Sequence, residues 1–189
     1  MNKFINAVPL IFIGVLGYFS LAKAKPVSLL SQNKPGVASP DMPANLAEYE
    51  VVPKSVHDGD TLRVRSPKGE ILKVRFACID APELKQPLGE ESRNHLRSII
   101  SKGNDKVKLQ PITVDRYGRT VAQLWNNSGL IQSQMTIAGM AYGYEQYKKD
   151  CPNWEAIEFT ENQAQTAKIG VWKLPGGGEK PWDYRKSKR

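Results

Sequence analysis

Only two histidines and two cysteines occur among 189 residues, and that scarcity excludes several chemistries. Enzymes built on paired histidines need imidazoles in settings that His57, beside an acidic loop, and His95, in a charged stretch with helical spacing, do not offer. Cys78 and Cys151 have neither the spacing nor a partnering histidine for a zinc site or a catalytic thiol. In an oxidising compartment they can close a bridge, and elsewhere they would be two buried thiols; sequence gives no distance between them. Beyond the first two dozen residues there is no apolar run near the roughly 20 residues that a bilayer span needs. No internal repeat is present, which removes solenoid architectures. Acidic residues are also in deficit, 19 against 27 Lys and Arg, for a formal charge of +8. Such a field attracts polyanions, either nucleic acid or an anionic membrane.

The N-terminus has Lys3, an apolar run over about 8–19, and Leu21-Ala22-Lys23-Ala24, the order of a secretory signal with an A-x-A cleavage site. Residues 1–24 are expected to be a signal peptide removed after Ala24, so that the chain is exported to the periplasm or the medium. The alternative is an uncleaved membrane anchor with the domain outside. Cleavage would remove two lysines and no acid, leaving +6. Residues 25–47 hold four prolines among Ser, Gly and Asn and read as a disordered linker.

From 48 to 173 the pattern is that of one folded domain. Apolar stretches at 49–56, 61–65 and 71–79, with a Ser66-Pro67-Lys68-Gly69 turn, predict three antiparallel strands. Two more are expected at 107–114 and 120–125. Leu96, Ile99 and Ile100 lie on one face of a helix over 89–101, and two further helices are expected at 130–138 and 154–168. The fold class is therefore α+β, mainly β: a five-stranded Greek-key barrel of the OB type with about three packed helices. Residues 174–189, rich in glycine and then in lysine and arginine, read as a flexible basic tail. In that tail Trp182, Tyr184 and the cations offer an auxiliary nucleic-acid contact as the alternative to a disordered end.

Three clusters carry chemistry. Asp58-Gly59-Asp60-Thr61 opens a strand, and alone it is an ordinary turn sequence. Arg75 is followed five residues later by Asp80-Ala81-Pro82-Glu83, where a strand runs into a proline-stiffened loop. Asp115-Arg116-Tyr117-Gly118-Arg119 is a charged turn that can hold an arginine at a fixed angle. Where a reaction adds charge to the oxygens of an anionic substrate, cations must be placed there beforehand. Asp60 and Asp80 are the carboxylates suited to a hard divalent ion, and Arg75 and Arg119 can each give paired hydrogen bonds to phosphate. One geometric requirement follows. Along a regular strand Arg75 and Asp80 have opposite parity, so the strand must bend or bulge before Asp80.

Taken in order, these motifs resemble the staphylococcal-nuclease family, over about 49–172. The resemblance implies a Ca²⁺-dependent endonuclease hydrolysing DNA and RNA and leaving 3′-phosphate ends. It places the metal on Asp60, Asp80 and the Ala81 carbonyl, with Arg75, Glu83 and Arg119 as catalytic residues. Glu83 would remove a proton from water or orient it, and Asp58 would support the metal loop from behind. Family members commonly carry threonine where Ala81 stands; a carbonyl ligand survives that change, a hydroxyl contact does not. The 84–88 loop is also shorter than in the family prototype. Tyr144 and Tyr147 lie where family members stack the nucleotide base. A non-catalytic OB-type nucleic-acid-binding module is the competing reading, and the full set of acids and arginines argues against it. No obligate protein partner is implied, and a monomer suffices.

Overall fold

The computed structural model describes residues 40–188, so the expected signal segment and most of the linker lie outside the described residues. Residues 40–47 contain only a turn at 44–45 before the first strand.

Five strands close a barrel. β1 (Glu48–Val51) runs antiparallel to both β2 (Thr61–Arg65) and β5 (Lys106–Val114). β2 turns through 66–69 into β3 (Ile71–Phe76), helped by Gly69, whose φ of +88° suits glycine. β5 pairs with β6 (Thr120–Asn126), and β6 returns in parallel to β3, setting Val74 opposite Thr120 and Arg75 opposite Val121. Alternation at period two sends Leu62, Val64, Val74, Phe76, Val107, Leu109, Ala122 and Leu124 into the core. Pairing in β5 shifts between Pro111 and Thr113, a bulge beside a residue with no N–H to give the ladder.

The helices close the barrel's apolar openings. α1 (Gly89–Lys102) buries Ser92, Leu96, Ile99 and Ile100, the face expected from their spacing. α2 (Ile131–Ile137) buries Ile131 and Met135, and its Gln132 is stitched to β6 by accepting from Leu124 N–H at 3.1 Å and donating to the Ala122 carbonyl at 3.0 Å. α3 (Trp154–Thr166) packs on α2. Cys78 and Cys151 are joined by a disulfide that ties the end of the β3 region to the segment preceding α3.

Three details differ from the sequence reading. β1 ends at Val51, before Pro53, rather than at 56. The stretch 71–79 is broken: β3 stops at Phe76, and Ile79–Asp80 form a separate short strand, β4, paired with β8 (Tyr142–Gly143); a two-residue β7 (Gly129–Leu130) lies at the far edge of the sheet. The segment expected to be a flexible basic tail instead makes a 3-10 turn and a helix, α4 (Pro181–Ser187). Pro181 preorganises its first turn, Asp183 sits near its N-terminus, and Arg185 and Lys186 sit near its C-terminus, each on the favourable side of the helix dipole.

Candidate active site

The break between β3 and β4 is what builds the site. Cys78 has a left-handed backbone with φ of 71°, which reverses the alternation and brings Asp80 to the side that Arg75 faces. Arg75 Nη2 donates to Asp80 Oδ1 at 2.6 Å and Nη1 pairs with Asp60 Oδ2 at 2.9 Å. Nη1 also donates to the carbonyls of Phe76 at 3.0 Å and Ile79 at 3.1 Å, so the arginine staples the bend that positions its own partner. The bend required by strand parity is therefore present, and it is a left-handed residue rather than a bulge.

Asp60 is fixed from two sides. Its Oδ2 accepts the Ala81 N–H at 2.6 Å, and its own N–H donates to Asp58 Oδ1 at 3.1 Å. Gly59 between them has a steric reason: a Cβ there would run into Ser92 Oγ on α1 and the Ala81 Cβ. The loop carrying Glu83 is set in the same way. Glu83 N–H donates to Gln86 Oε1 at 2.9 Å, and the Glu83 carbonyl lies against Gly89, where any side chain would collide with it. Asp60 and Asp80 thus meet on Arg75, with Asp58 and Ala81 bonded to Asp60. Among the described residues the Ala81 carbonyl accepts no hydrogen bond.

Arg119 is not in that contact set. Its Nε donates to Asp115 Oδ2 at 2.6 Å, and Asp115 Oδ1 accepts both the Tyr117 and the Arg119 N–H at 2.9 Å. Gly118, with φ of +73°, makes the tight turn. The side chain is therefore held rigidly at the start of β6, next to β3, and among the described residues its terminal nitrogens make no hydrogen bond. Tyr144 and Tyr147 meet edge to face at 5.0 Å, and Tyr144 follows β8, the partner strand of Asp80.

Sequence reasoning missed Arg185. From α4 its Nη2 donates to Asp80 Oδ2 at 2.6 Å, and its Nη1 donates to Glu83 Oε1 at 2.7 Å and to Asp80 Oδ1 at 3.1 Å. Beside it Trp182 stacks on Tyr144, with centroids 5.0 Å apart and planes 4° from parallel. The available signal was a short helix pattern, with proline first, acid early and base late, in a segment whose glycines and lysines read as disorder.

The charges explain each other. Burial pushes the Asp60 carboxyl up to about 7, opposed by Arg75 and reinforced by the Asp58 charge. Burial also raises Asp80, against the pull of Arg75 and Arg185. Desolvation works to lower Arg185, but its bonds to Asp80 and Glu83 outweigh it and the guanidinium is held more firmly charged than usual. The donors here are all oxygen: two buried carboxylates, a partly exposed one, and a carbonyl without a partner. They already hold two cationic groups, the Arg75 guanidinium on Asp60 and Asp80 and the Arg185 guanidinium on Asp80 and Glu83. That set fits a hard divalent ion, although among the described residues no three ligand side chains converge on one point.

Residues 73–174, more than half of the chain, match the model of the family described as staphylococcal nuclease homologue. A probable staphylococcal-like nuclease of Oryza sativa subsp. japonica is 39% identical over 119 residues, which cover 62% of this chain and 29% of that protein. An uncharacterized endonuclease of Haemophilus influenzae is 37% identical over 117 residues, 62% of each chain. One of Escherichia coli is 32% identical over 134 residues, covering 70% of this chain and 82% of the relative. The match covers 29% to 40% of the plant relatives' length, and 62% and 82% of the two bacterial ones. Because the matched segment is more than half of the chain and takes in Arg75, Asp80, Glu83 and Arg119, the chain belongs to the staphylococcal nuclease homologue family.

Proposed function

We propose that this protein is a metal-dependent nuclease that hydrolyses phosphodiester bonds of DNA and RNA, with Ca²⁺ as its ion and 3′-phosphate ends as its product. The observation that carries the reading is the buried cluster in which Arg75 binds Asp60 and Asp80 at once, with Glu83 at its rim. The names of the relatives as nucleases and endonucleases support it.

Asp60, Asp80 and the Ala81 carbonyl would hold the ion, with Asp58 fixing the Asp60 backbone behind it. A bound divalent ion supplies positive charge beside the phosphoryl oxygens as they gain charge, and acidifies water in its shell. Arg75 keeps a permanent charge against both carboxylates and holds the Cys78 bend in shape. Arg119, held on its Asp115 turn and with Nη groups that make no hydrogen bond among the described residues, offers the forked donor pair that a phosphate accepts. Glu83 takes the proton of the attacking water from the mouth of the site. Tyr144 and Tyr147 present ring faces to a nucleobase, an interaction of roughly 1–3 kcal/mol per base. A single strand suits such a site, since its bases are open to stacking.

We further propose export, with residues 1–24 as the signal. The Cys78–Cys151 disulfide supports an oxidising destination.

The test is incubation of the purified protein with single-stranded DNA and with RNA, with Ca²⁺ or with chelator, followed by end analysis. Ca²⁺-dependent cleavage with 3′-phosphate ends is expected. Cleavage that survives the chelator, or ends with a 3′-hydroxyl, would contradict the reading.

A further inference from the structure

We propose that the C-terminal helix α4 is an autoinhibitory strap, which keeps the site closed by placing Arg185 on the cation-binding carboxylates and Trp182 on the base-stacking face of Tyr144. The proposal rests on the metal-dependent reading above.

Arg185 occupies the oxygens that an ion would need. Both Asp80 oxygens are bonded to it, at 3.1 and 2.6 Å, and Asp80 Oδ1 is shared with Arg75 at 2.6 Å. Asp80 is 1% exposed, so no face of its carboxylate is open from another direction. Glu83, the proposed base, is engaged by the same guanidinium at 2.7 Å. While Arg185 stays, both Asp80 oxygens and Glu83 Oε1 are taken. The two cationic occupants are mutually exclusive at this carboxylate.

Trp182 lies three residues before Arg185, on the same face of the helix. Its indole lies parallel to the Tyr144 ring, the geometry that a stacked base adopts, and its edge meets Tyr142 at 6.1 Å. One short helix therefore covers both the cation subsite and the base subsite with a side chain imitating each ligand. Further anchors hold the segment before it. Tyr142 O–H donates to the Gly177 carbonyl at 2.6 Å, and buried Gln86, which also positions the Glu83 loop, donates to the Glu179 carbonyl at 3.0 Å. The Lys180 ammonium sits 4.0 Å from the Tyr142 ring centroid and 4.4 Å from that of Trp172.

The connection to the barrel is built to turn. Gly176, Gly177 and Gly178 have φ of 63°, 77° and 73°, a run that other residues adopt with difficulty and that can swing through a few torsions. The strap departs as a unit, because its contacts to the barrel are side-chain and carbonyl contacts with no strand pairing. Its effect follows population-shift arithmetic: when the strap is docked in about nine-tenths of molecules, apparent ion affinity falls about tenfold.

The experiment is Ca²⁺ titration by calorimetry on the full chain, for the unaltered protein, Arg185→Ala, Arg185→Lys and the control Lys188→Ala. It is paired with trypsin digestion at Arg185 and Lys186 of the unaltered protein, with and without Ca²⁺ and an oligonucleotide. Arg185→Ala is expected to bind Ca²⁺ several-fold to tenfold more tightly, with Arg185→Lys intermediate because it keeps charge but loses the fork, and Lys188→Ala unchanged. Ca²⁺ with oligonucleotide is expected to speed tryptic cutting in α4. At low Ca²⁺ the Arg185→Ala cleavage rate exceeds that of the unaltered chain, and the gap closes at saturation. Equal Ca²⁺ affinity in unaltered protein and Arg185→Ala overturns the strap while leaving the metal reading intact. Absence of Ca²⁺ binding in every variant overturns both. A loss of cleavage in Arg185→Ala at saturating Ca²⁺, with affinity unchanged, would make Arg185 a substrate contact instead and also overturn the strap.

Discussion

Arg75 binds two acids and two carbonyls with one guanidinium, so its replacement removes structure and chemistry together. Arg75→Ala leaves Asp60 and Asp80 buried without their shared partner and is expected to cost about 3–5 kcal/mol of stability, read from urea unfolding. A loss below 1 kcal/mol would mean that the carboxylates find compensation elsewhere. Gly59→Ala should act through sterics alone, pushing the Asp58–Asp60 loop off Ser92 and Ala81 at a cost of about 1–3 kcal/mol. Its check is a weakened Ca²⁺ affinity alongside the lower melting temperature. Much of this scale was legible in the sequence. Motif spacing named Asp60, Arg75, Asp80 and Glu83, and strand parity demanded a distortion before Asp80. The identity of that distortion was not legible, since nothing in the letters marks Cys78 as the left-handed residue. Arg185 was not legible either, because its partners lie 102 and 105 residues away.

The elements divide into those whose pattern is periodic and those made by tertiary contact. The barrel strands and the buried face of α1 follow from alternation and from helical spacing, and the expected boundaries fall close to the observed ones. β4 and β8 are two residues each and exist only because they find one another, so no periodic signal could announce them. α4 forms on Tyr142, Tyr144 and the acids of the site, and composition alone read it as a tail. The disulfide spans a sequence separation of 73; reduction is expected to lower stability by roughly 4 kcal/mol in the chain-entropy view, measurable as a shifted urea midpoint with dithiothreitol. Glu161 on α3 gives a pH-dependent test. It accepts the Gly143 N–H at 2.9 Å, and burial lifts its pKa above the ordinary 4.5 in spite of that bond and Lys180. With the folded pKa above the unfolded one, the folded state binds more protons, and stability falls as pH rises from 4.5 through the folded value. Glu161→Gln keeps an acceptor for Gly143 and should be more stable than the unaltered chain above that window and alike below it. Melting curves at several pH values check this, and parallel profiles would contradict it.

At the scale of the whole molecule, a chain with a formal charge of +8 carries a site made largely of acids. In the proposed reading the cations draw a polyanion in, while the acids select what sits at its centre. Binding of single-stranded DNA by a Glu83→Gln variant should weaken steeply with salt, with a log–log slope of about −0.7 per phosphate contacted; a flat dependence would contradict a nucleic-acid surface. The central proposal is that Glu83 does the proton chemistry beside an ion held by Asp60 and Asp80. The most direct measurement is the single-turnover cleavage rate of single-stranded DNA by Glu83→Gln and by the unaltered protein at saturating Ca²⁺, with chelator controls. The predicted result is a fall of about 100-fold or more, with cleavage by the unaltered protein abolished by chelator. A variant that cuts as fast as the unaltered protein, or a rate that ignores the chelator, would contradict it.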